Sequence, residues 1–332
     1  MFHAARSTSC RIVFLFVLAS SAGLYSQTFV DDVHIVPRTA GIEVATATPG
    51  PRLSGLIRAR ADLVIVPVTI TDNMNRPVTG LDRDNFQLFE NKQPQEIKNF
   101  SSEDSPVSIG IIMDVSGSMA NKLGRARDAV HQFCDASNPQ DEFFMVTFSD
   151  APRLATDFTS RPEEIENALL GAQSRGRTSL LDAIYMGIRK MKDARYSRRA
   201  LLIISDGGDN HSRYTDRDVK SAVREADILI YAVGTYDRYA TTQEELLGPE
   251  LLQNVAGVTG GQAYTLSNVV EMPEVTRAIG ARLRHQYMLT YSPQTRSRDG
   301  KWRKISVKLR LPKKWSSFLR VSARTGYYAG AE

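Results

Sequence analysis

Val107-Ser-Ile-Gly-Ile-Ile-Met-Asp-Val-Ser-Gly-Ser-Met-Ala-Asn121 changes character within two residues. Val107 to Met113 is an apolar run of the kind that fits a strand buried on both faces of a parallel sheet. Asp114, Ser116 and Ser118 follow, with Gly117 between the serines. The apolar run stops at Asp114 because the strand reaches its carboxyl end there, and in an open α/β sheet ligands bind at that end. One carboxylate and two hydroxyls at alternating positions can converge on a single point. Hard cations such as Mg²⁺ take oxygen ligands in octahedral geometry and keep several waters, so the turn reads as a metal site.

Two later stretches supply further oxygens. Gly176-Arg-Thr-Ser-Leu-Leu-Asp182 offers Thr178 just before a helix, and Leu201-Leu-Ile-Ile-Ser-Asp-Gly207 is a second buried strand ending on Asp206. The candidate metal set is therefore Asp114, Ser116, Ser118, Thr178 and Asp206. In order and spacing this set resembles the metal-ion-dependent adhesion site of the von Willebrand factor A domain, and the likeness spans Val107 to about Arg284. The resemblance implies that the hydroxyls of Ser116, Ser118 and Thr178 touch the ion while Asp114 and Asp206 act largely through water. Neutral ligands leave much of the divalent charge unquenched, so a carboxylate from a partner can take the open position. The implied cofactor is Mg²⁺, with Mn²⁺ or Ca²⁺ as alternatives, and the implied partner is a protein with an exposed Asp or Glu. Loops at Ser205–Tyr214 and Thr235–Leu247 would form the rim. Asp209 and Asn210 read as turn-shaping residues, and Asp182 as a helix cap rather than a ligand.

Composition places the chain among ordinary globular proteins, with 42% apolar and 24% charged residues. Its 332 residues suffice for two domains. The net charge of +5 is mild; basic residues alternate with acids in most segments, and no Lys/Arg run has the density of a nucleic-acid patch. Residues 1–26 read as an export signal: Arg6 and Arg11 precede and open an apolar run, Ile12 to Ala19, with small residues after it. That run is well short of the ~20 residues a spanning helix needs, so a cleaved signal and a periplasmic or extracellular location are expected, with no stable transmembrane segment. Cys134 is then the one cysteine left, on a helix beside Val130 and Phe133, and reads as a buried apolar residue.

From the repeated alternation of strand and helix after Val107, the fold class is α/β: a doubly wound, mostly parallel six-stranded sheet, Rossmann-like. It is expected to be inserted in a small β-sandwich made by strands from both chain ends. The expected boundaries are a linker at 27–60, the first part of the sandwich at 61–104, the α/β domain at 105–284 and the second part of the sandwich at 285–330. The linker reads either as a flexible tether or as an added edge strand. Pro67 argues for an edge or bulge in the first strand, Ser179 with Asp182 for a capping box, and Pro249 for the start of a helix. The layout also resembles a group of exported bacterial proteins, frequent in acidobacteria, with Leu81–Phe89 and Ala323–Tyr328 as flanking marks.

No catalytic or cofactor-binding residue is expected, and the chain reads as a binding protein rather than an enzyme. It has no Gly-x-x-x-x-Gly-Lys-Ser/Thr loop and no Gly-x-Gly-x-x-Gly after a first strand. Its five histidines are scattered; His211 alone falls near the cleft. The alternatives are a metal-dependent hydrolase or phosphoester enzyme, and a structural envelope component whose metal stiffens loops.

Overall fold

The computed structural model describes residues 63–206, 208–235, 243–294 and 299–329. All of these belong to one compact unit, Ala59–Glu332. The expected signal and linker lie outside the described residues.

The chain enters through four strands, β1 (Val64–Thr71), β2 (Phe86–Glu90), β3 (Gln93–Gln95) and β4 (Ile97–Ser101). The α/β section follows: β5 (Ser108–Asp114), α1 (Leu123–Ala136), β6 (Glu142–Phe148), β7 (Pro152–Thr159), α2 (Pro162–Leu170) and α3 (Leu180–Lys190). It continues through β8 (Arg199–Ser205), α4 (Asp216–Glu225), β9 (Leu229–Thr235), α5 (Gln243–Thr259), β10 (Ala263–Leu266) and α6 (Met272–Arg284). The last elements are β11 (Tyr287–Tyr291), β12 (Trp302–Leu309), a single turn α7 (Lys313–Ser316), β13 (Arg320–Ala323) and β14 (Gly326–Tyr328).

Among the described residues the central sheet has six strands in the order β10-β9-β8-β5-β6-β7. All neighbours are parallel except β7, which runs back along β6. Every residue of β5, β6 and β9 is buried, because helices cover both faces. Ile109, Ile111 and Met113 face α1, α2 and α6, whereas Ile112 faces α3, α4 and α5. That double cover explains why these strands read as unbroken apolar runs instead of alternating ones. Strand order reverses between β5 and β8, so the crevice at their carboxyl ends is the topological switch point. This architecture is the expected fold class.

The terminal strands form two further sheets, β13-β1-β11-β4 and β14-β12-β2-β3. Each mixes strands from both ends of the chain, and Val66, Val68, Leu88, Leu289, Tyr291 and Ile305 share the core between them. The sandwich adjoins the starts of the parallel strands: Ile65, Pro67, Gln286 and Met288 line one cavity with Val107, Arg198 and Leu229. Buried Arg282 crosses the same junction, donating from Nη2 to the Asn75 carbonyl (2.7 Å). The sandwich and the switch point thus lie at opposite ends of strands of seven residues, about 20 Å apart at ~3.3 Å per residue.

Three local expectations need correction. Strand β1 is interior to its sheet, with β11 on one side and β13 on the other. Pro67 is tolerated because β13 pairs only with Val68–Thr71, so the strand still has a free edge on that side at Pro67. Helix α5 begins at Gln243 and runs through Pro249 instead of starting there. Ser179 makes no side-chain cap for α3, and Asp182 serves a different loop, described below.

Asp141, in the turn before β6, accepts hydrogen bonds from the backbone N–H groups of Val107 (2.7 Å) and Asn138 (3.0 Å). Burial nevertheless pushes its carboxyl up to about 6, against the pull of those bonds and of Arg198. The folded protein therefore holds a proton between pH ~4 and ~6 that the unfolded chain has released, and stability falls as pH rises through that window. Asp141→Asn is expected to remove this component, on the order of 2–3 kcal/mol, and to flatten urea midpoints over that range. A profile parallel to the wild type would show that Asp141 is not the group responsible.

Candidate functional site

Asp114 ends β5 and is fully buried. Its two oxygens are committed to the turn and to the next strand: Oδ1 accepts from the Ser116 N–H (2.8 Å) and Oδ2 from the Ser205 hydroxyl (2.6 Å). Burial pushes the Asp114 carboxyl up to about 6; the hydroxyl and backbone bonds oppose that rise, and the nearby Asp206 charge adds to it. A buried carboxylate held this way gains from a cation alongside.

Asp206, just past β8, brings the second strand end into the cluster. The Ser118 hydroxyl donates to Asp206 Oδ1 (2.7 Å) and lies 3.0 Å from the Ser116 hydroxyl. Ser116 Oγ, Ser118 Oγ and the carboxylates of Asp114 and Asp206 are thus linked across the switch point. Half of these donors are hydroxyls, and among the described residues no three His, Cys, Asp or Glu side chains gather as a metal group. The donor set is hard oxygen throughout, which fits Mg²⁺, Mn²⁺ or Ca²⁺ and not a soft metal.

The loop that carries Thr178 is joined to the Asp-x-Ser-x-Ser turn by backbone bonds of its neighbours, not of Thr178 itself. Gly117 N–H donates to the Gly176 carbonyl (3.0 Å), Arg175 N–H to the Val115 carbonyl (3.0 Å), and Ser179 N–H to the Ser149 carbonyl (2.9 Å). The first two bonds bolt the loop before α3 to the Asp-x-Ser-x-Ser turn, and the third ties it to the turn between β6 and β7. Gly176 adopts φ +83°, and the Asp150 carboxylate lies against its Cα, where a Cβ would come within 2.6 Å of Oδ2. The Thr178 side chain is buried, and among the described residues no hydrogen bond joins its hydroxyl to the other four residues, so the structure does not tie it into their hydrogen-bonded group.

The loop after Asp206 is tied down by the residues read as turn formers. Asn210 Oδ1 accepts from the Thr178 N–H (2.9 Å), and Asp209 Oδ1 accepts from the Leu181 N–H (3.1 Å), capping α3 from outside. Asp182 is buried and accepts from the N–H groups of Arg213 (2.9 Å) and Tyr214 (3.0 Å). It holds this loop instead of capping its own helix. His211 is exposed, with Nδ1 3.3 Å from Arg177 Nη1, and touches none of the five site residues through its side chain. Of the expected rim, Gly207 and residues 236–242 lie outside the described residues.

Two residues escaped the sequence reading. Ser205 immobilises Asp114, and its only trace was a hydroxyl at the end of an otherwise apolar strand. Lys122 pairs with Asp206 Oδ2 at 2.5 Å, its partner's carboxylate fully shielded from solvent. A lysine at the entrance of α1, where the helix dipole disfavours a cation, was the available signal. Lys122 supplies positive charge where a bound cation would also act. Lys122→Met is therefore expected to tighten Mn²⁺ binding about tenfold by removing a competitor for Asp206. Titration calorimetry giving an unchanged affinity would show that the ammonium does not compete.

Residues 109–208 match the von Willebrand factor type A domain. Over that stretch, under half of the chain, the sequence is similar to a VWA domain. Over 134 residues it is 24% identical to human inter-alpha-trypsin inhibitor heavy chain H4, a match covering 36% of this chain and 14% of that protein. The bovine H3 heavy chain is 27% identical over 134 residues, 15% of its length. The chain thus aligns with only a small part of these curated relatives. Among solved structures, a von Willebrand factor type A protein from Catenulispora acidiphila superposes with a TM-score of 0.48 at 12% identity, covering 82% of this chain and 75% of that one. The vWF domain of the type V pili tip protein Mfa5 from Porphyromonas gingivalis gives a TM-score of 0.41 at 11% identity, covering 52% and 95%.

Proposed function

We propose that this VWA-like domain binds a protein partner in a metal-dependent way. Asp114, Ser116, Ser118, Thr178 and Asp206 would hold one divalent cation, Mg²⁺ with Mn²⁺ or Ca²⁺ as substitutes, against an exposed Asp or Glu of the partner. When bound, the cation supplies a Lewis-acidic position that a foreign carboxylate completes. The reading rests on Ser118, whose hydroxyl touches both Ser116 and Asp206 and so joins the two strand ends at the switch point. Ser205 and the Ser116 N–H hold Asp114 in place before any ligand arrives, which lowers the ordering cost of binding. The tied-down loop from Asp209 to Tyr214 offers a firm rim on which a partner can be recognised.

The same reading makes the chain an exported, non-enzymatic adhesion or interaction protein. Among the described residues no helix is long and apolar enough to cross a membrane. The test is association of the full chain with an acidic peptide and with envelope extracts of the producing cell, in Mg²⁺ or Mn²⁺ and after chelation. Binding that appears with metal and disappears with chelator is the expected result. Association indifferent to chelator sinks the metal-dependent reading, and metal-dependent turnover of phosphoesters would replace it with an enzyme.

A further inference from the structure

The sandwich carries a feature that the metal site does not use. Between Gly300 and Ala331 the sequence has nine Lys or Arg and no Asp or Glu, in a chain whose overall charge is only +5. The connection from β12 to β13 lies in this segment. Leu309 and Leu319 anchor its two ends against the sandwich core, and Arg310 N–H donates to the Asn85 carbonyl (2.7 Å). Between those anchors the chain turns outward through α7. Trp315 is 67% exposed and Phe318 is 56% exposed. Arg310, Lys314 and Arg320 beside them are exposed as well. The Phe318 N–H donates to the Trp315 carbonyl (3.3 Å), so the two rings project from one tight turn. Strand β13 starts only at Arg320, leaving Phe318 outside the sheet.

A lone exposed apolar residue is unremarkable. Two large aromatics three residues apart, flanked along the sequence by exposed cations and with no acid on the same segment, form a patch with a chemical preference. Indole and phenyl rings settle at the headgroup–acyl boundary of a bilayer, and lysines and arginines pair with lipid phosphates above it. A single weak anchor gives only marginal attachment, whereas apolar insertion combined with a basic patch gives stable attachment. The tip has both. We propose that the β12–β13 tip docks the protein on an anionic lipid surface through Trp315 and Phe318, with Arg310, Lys314 and Arg320 on the headgroups. Because the sandwich sits at the strand starts, docking there leaves the metal site's end of the sheet uncovered.

The proposal is independent of the metal reading and is tested without metal. The full chain is sedimented with vesicles of phosphatidylcholine alone and with about 30% phosphatidylglycerol, at ~0.1 M and ~0.5 M salt. Binding is expected only to the anionic vesicles, weakening at the higher salt, with a blue shift of Trp315 fluorescence read in a Trp302→Phe background. The double variant Lys314→Glu/Arg320→Glu should lower the partition coefficient by at least about 25-fold, from roughly fivefold per cation lost and the added repulsion of two carboxylates. Trp315→Ser/Phe318→Ser should lower it by about tenfold or more and abolish the blue shift. All four positions are exposed, so both double variants should keep the wild-type circular dichroism and melting midpoint. Arg125→Glu, exposed on α1, should bind as wild type does. Equal binding to neutral vesicles, tip variants that bind normally, or retention on DNA or heparin without vesicle binding would each overturn the proposal.

Discussion

Asp114→Asn should cut divalent-cation affinity by about 100-fold or more while leaving the protein folded. The amide matches the carboxylate in size but lacks its charge. It also presents an NH₂ group where the Ser205 hydroxyl or the Ser116 N–H now finds an acceptor. With the amide oxygen kept on the Ser116 N–H and the NH₂ facing Ser205, whose hydroxyl can turn to accept, the metal-free variant should melt close to the wild type, because burial already holds the Asp114 carboxyl up at about 6 and the amide removes that desolvation penalty. The distinguishing readout is the metal-induced rise in stability. In wild type it should reach about 2.7 kcal/mol at a hundredfold excess over the dissociation constant; in the variant it should vanish, together with metal-dependent partner binding. A variant that keeps its metal shift and binds its partner normally would show that the site has been placed wrongly.

Gly110→Val is the second large effect. Gly110 lies mid-way along β5, and a Cβ there would sit 2.3 Å from Phe144 Cζ and 2.5 Å from Leu201 Cδ2. Both neighbours are fully buried on the flanking strands β6 and β8, so neither ring nor methyl has space to retreat. Overpacking of this kind typically costs about 1–3 kcal/mol, and a side chain wedged into the centre of a six-stranded sheet belongs at the upper end. At about 2–4 °C per kcal/mol for a chain of this size, the melting midpoint should drop by roughly 6–12 °C. Strand β5 also carries Asp114, so metal affinity should fall with stability. A midpoint within a degree or so of wild type would mean that the strands separate far more readily than their packing suggests.

How much of this was visible in the residues depends on the scale of the signal. Double burial writes a strand into the sequence as a continuous apolar run, so β5 and β8 were plain, and so was their shared end at Asp114 and Asp206. Periodicity could not show which strands of the sandwich are neighbours. The placement of β11 between β1 and β4 is a matter of register across most of the chain, and no short window carries it. Pro67 and Pro249 misled for a related reason: a proline's effect depends on whether a partner is present at that residue, and that is settled elsewhere in the fold. Ser179 and Asp182 had the spacing of a cap, but Asp182 was claimed by the N–H groups of Arg213 and Tyr214, a long-range competitor that local spacing does not reveal. Lys122 was missed because its significance lies in its distance to Asp206, 84 residues away.

The sandwich also constrains the order in which this protein can be made. Buried Glu90 accepts hydrogen bonds from Tyr291 and Tyr327, 201 and 237 residues downstream, and β1 has no neighbour in its sheet until β11 emerges. A nascent chain leaving the ribosome can therefore close the β2–β3 hairpin early, but it carries β1 and β4 without their sheet partners until β11 has been translated. During that interval β1 presents bare strand edges to any other polypeptide nearby. A chaperone that shields such edges, or rapid closure of the wound domain to draw the two ends together, becomes a requirement of biogenesis rather than of the finished molecule.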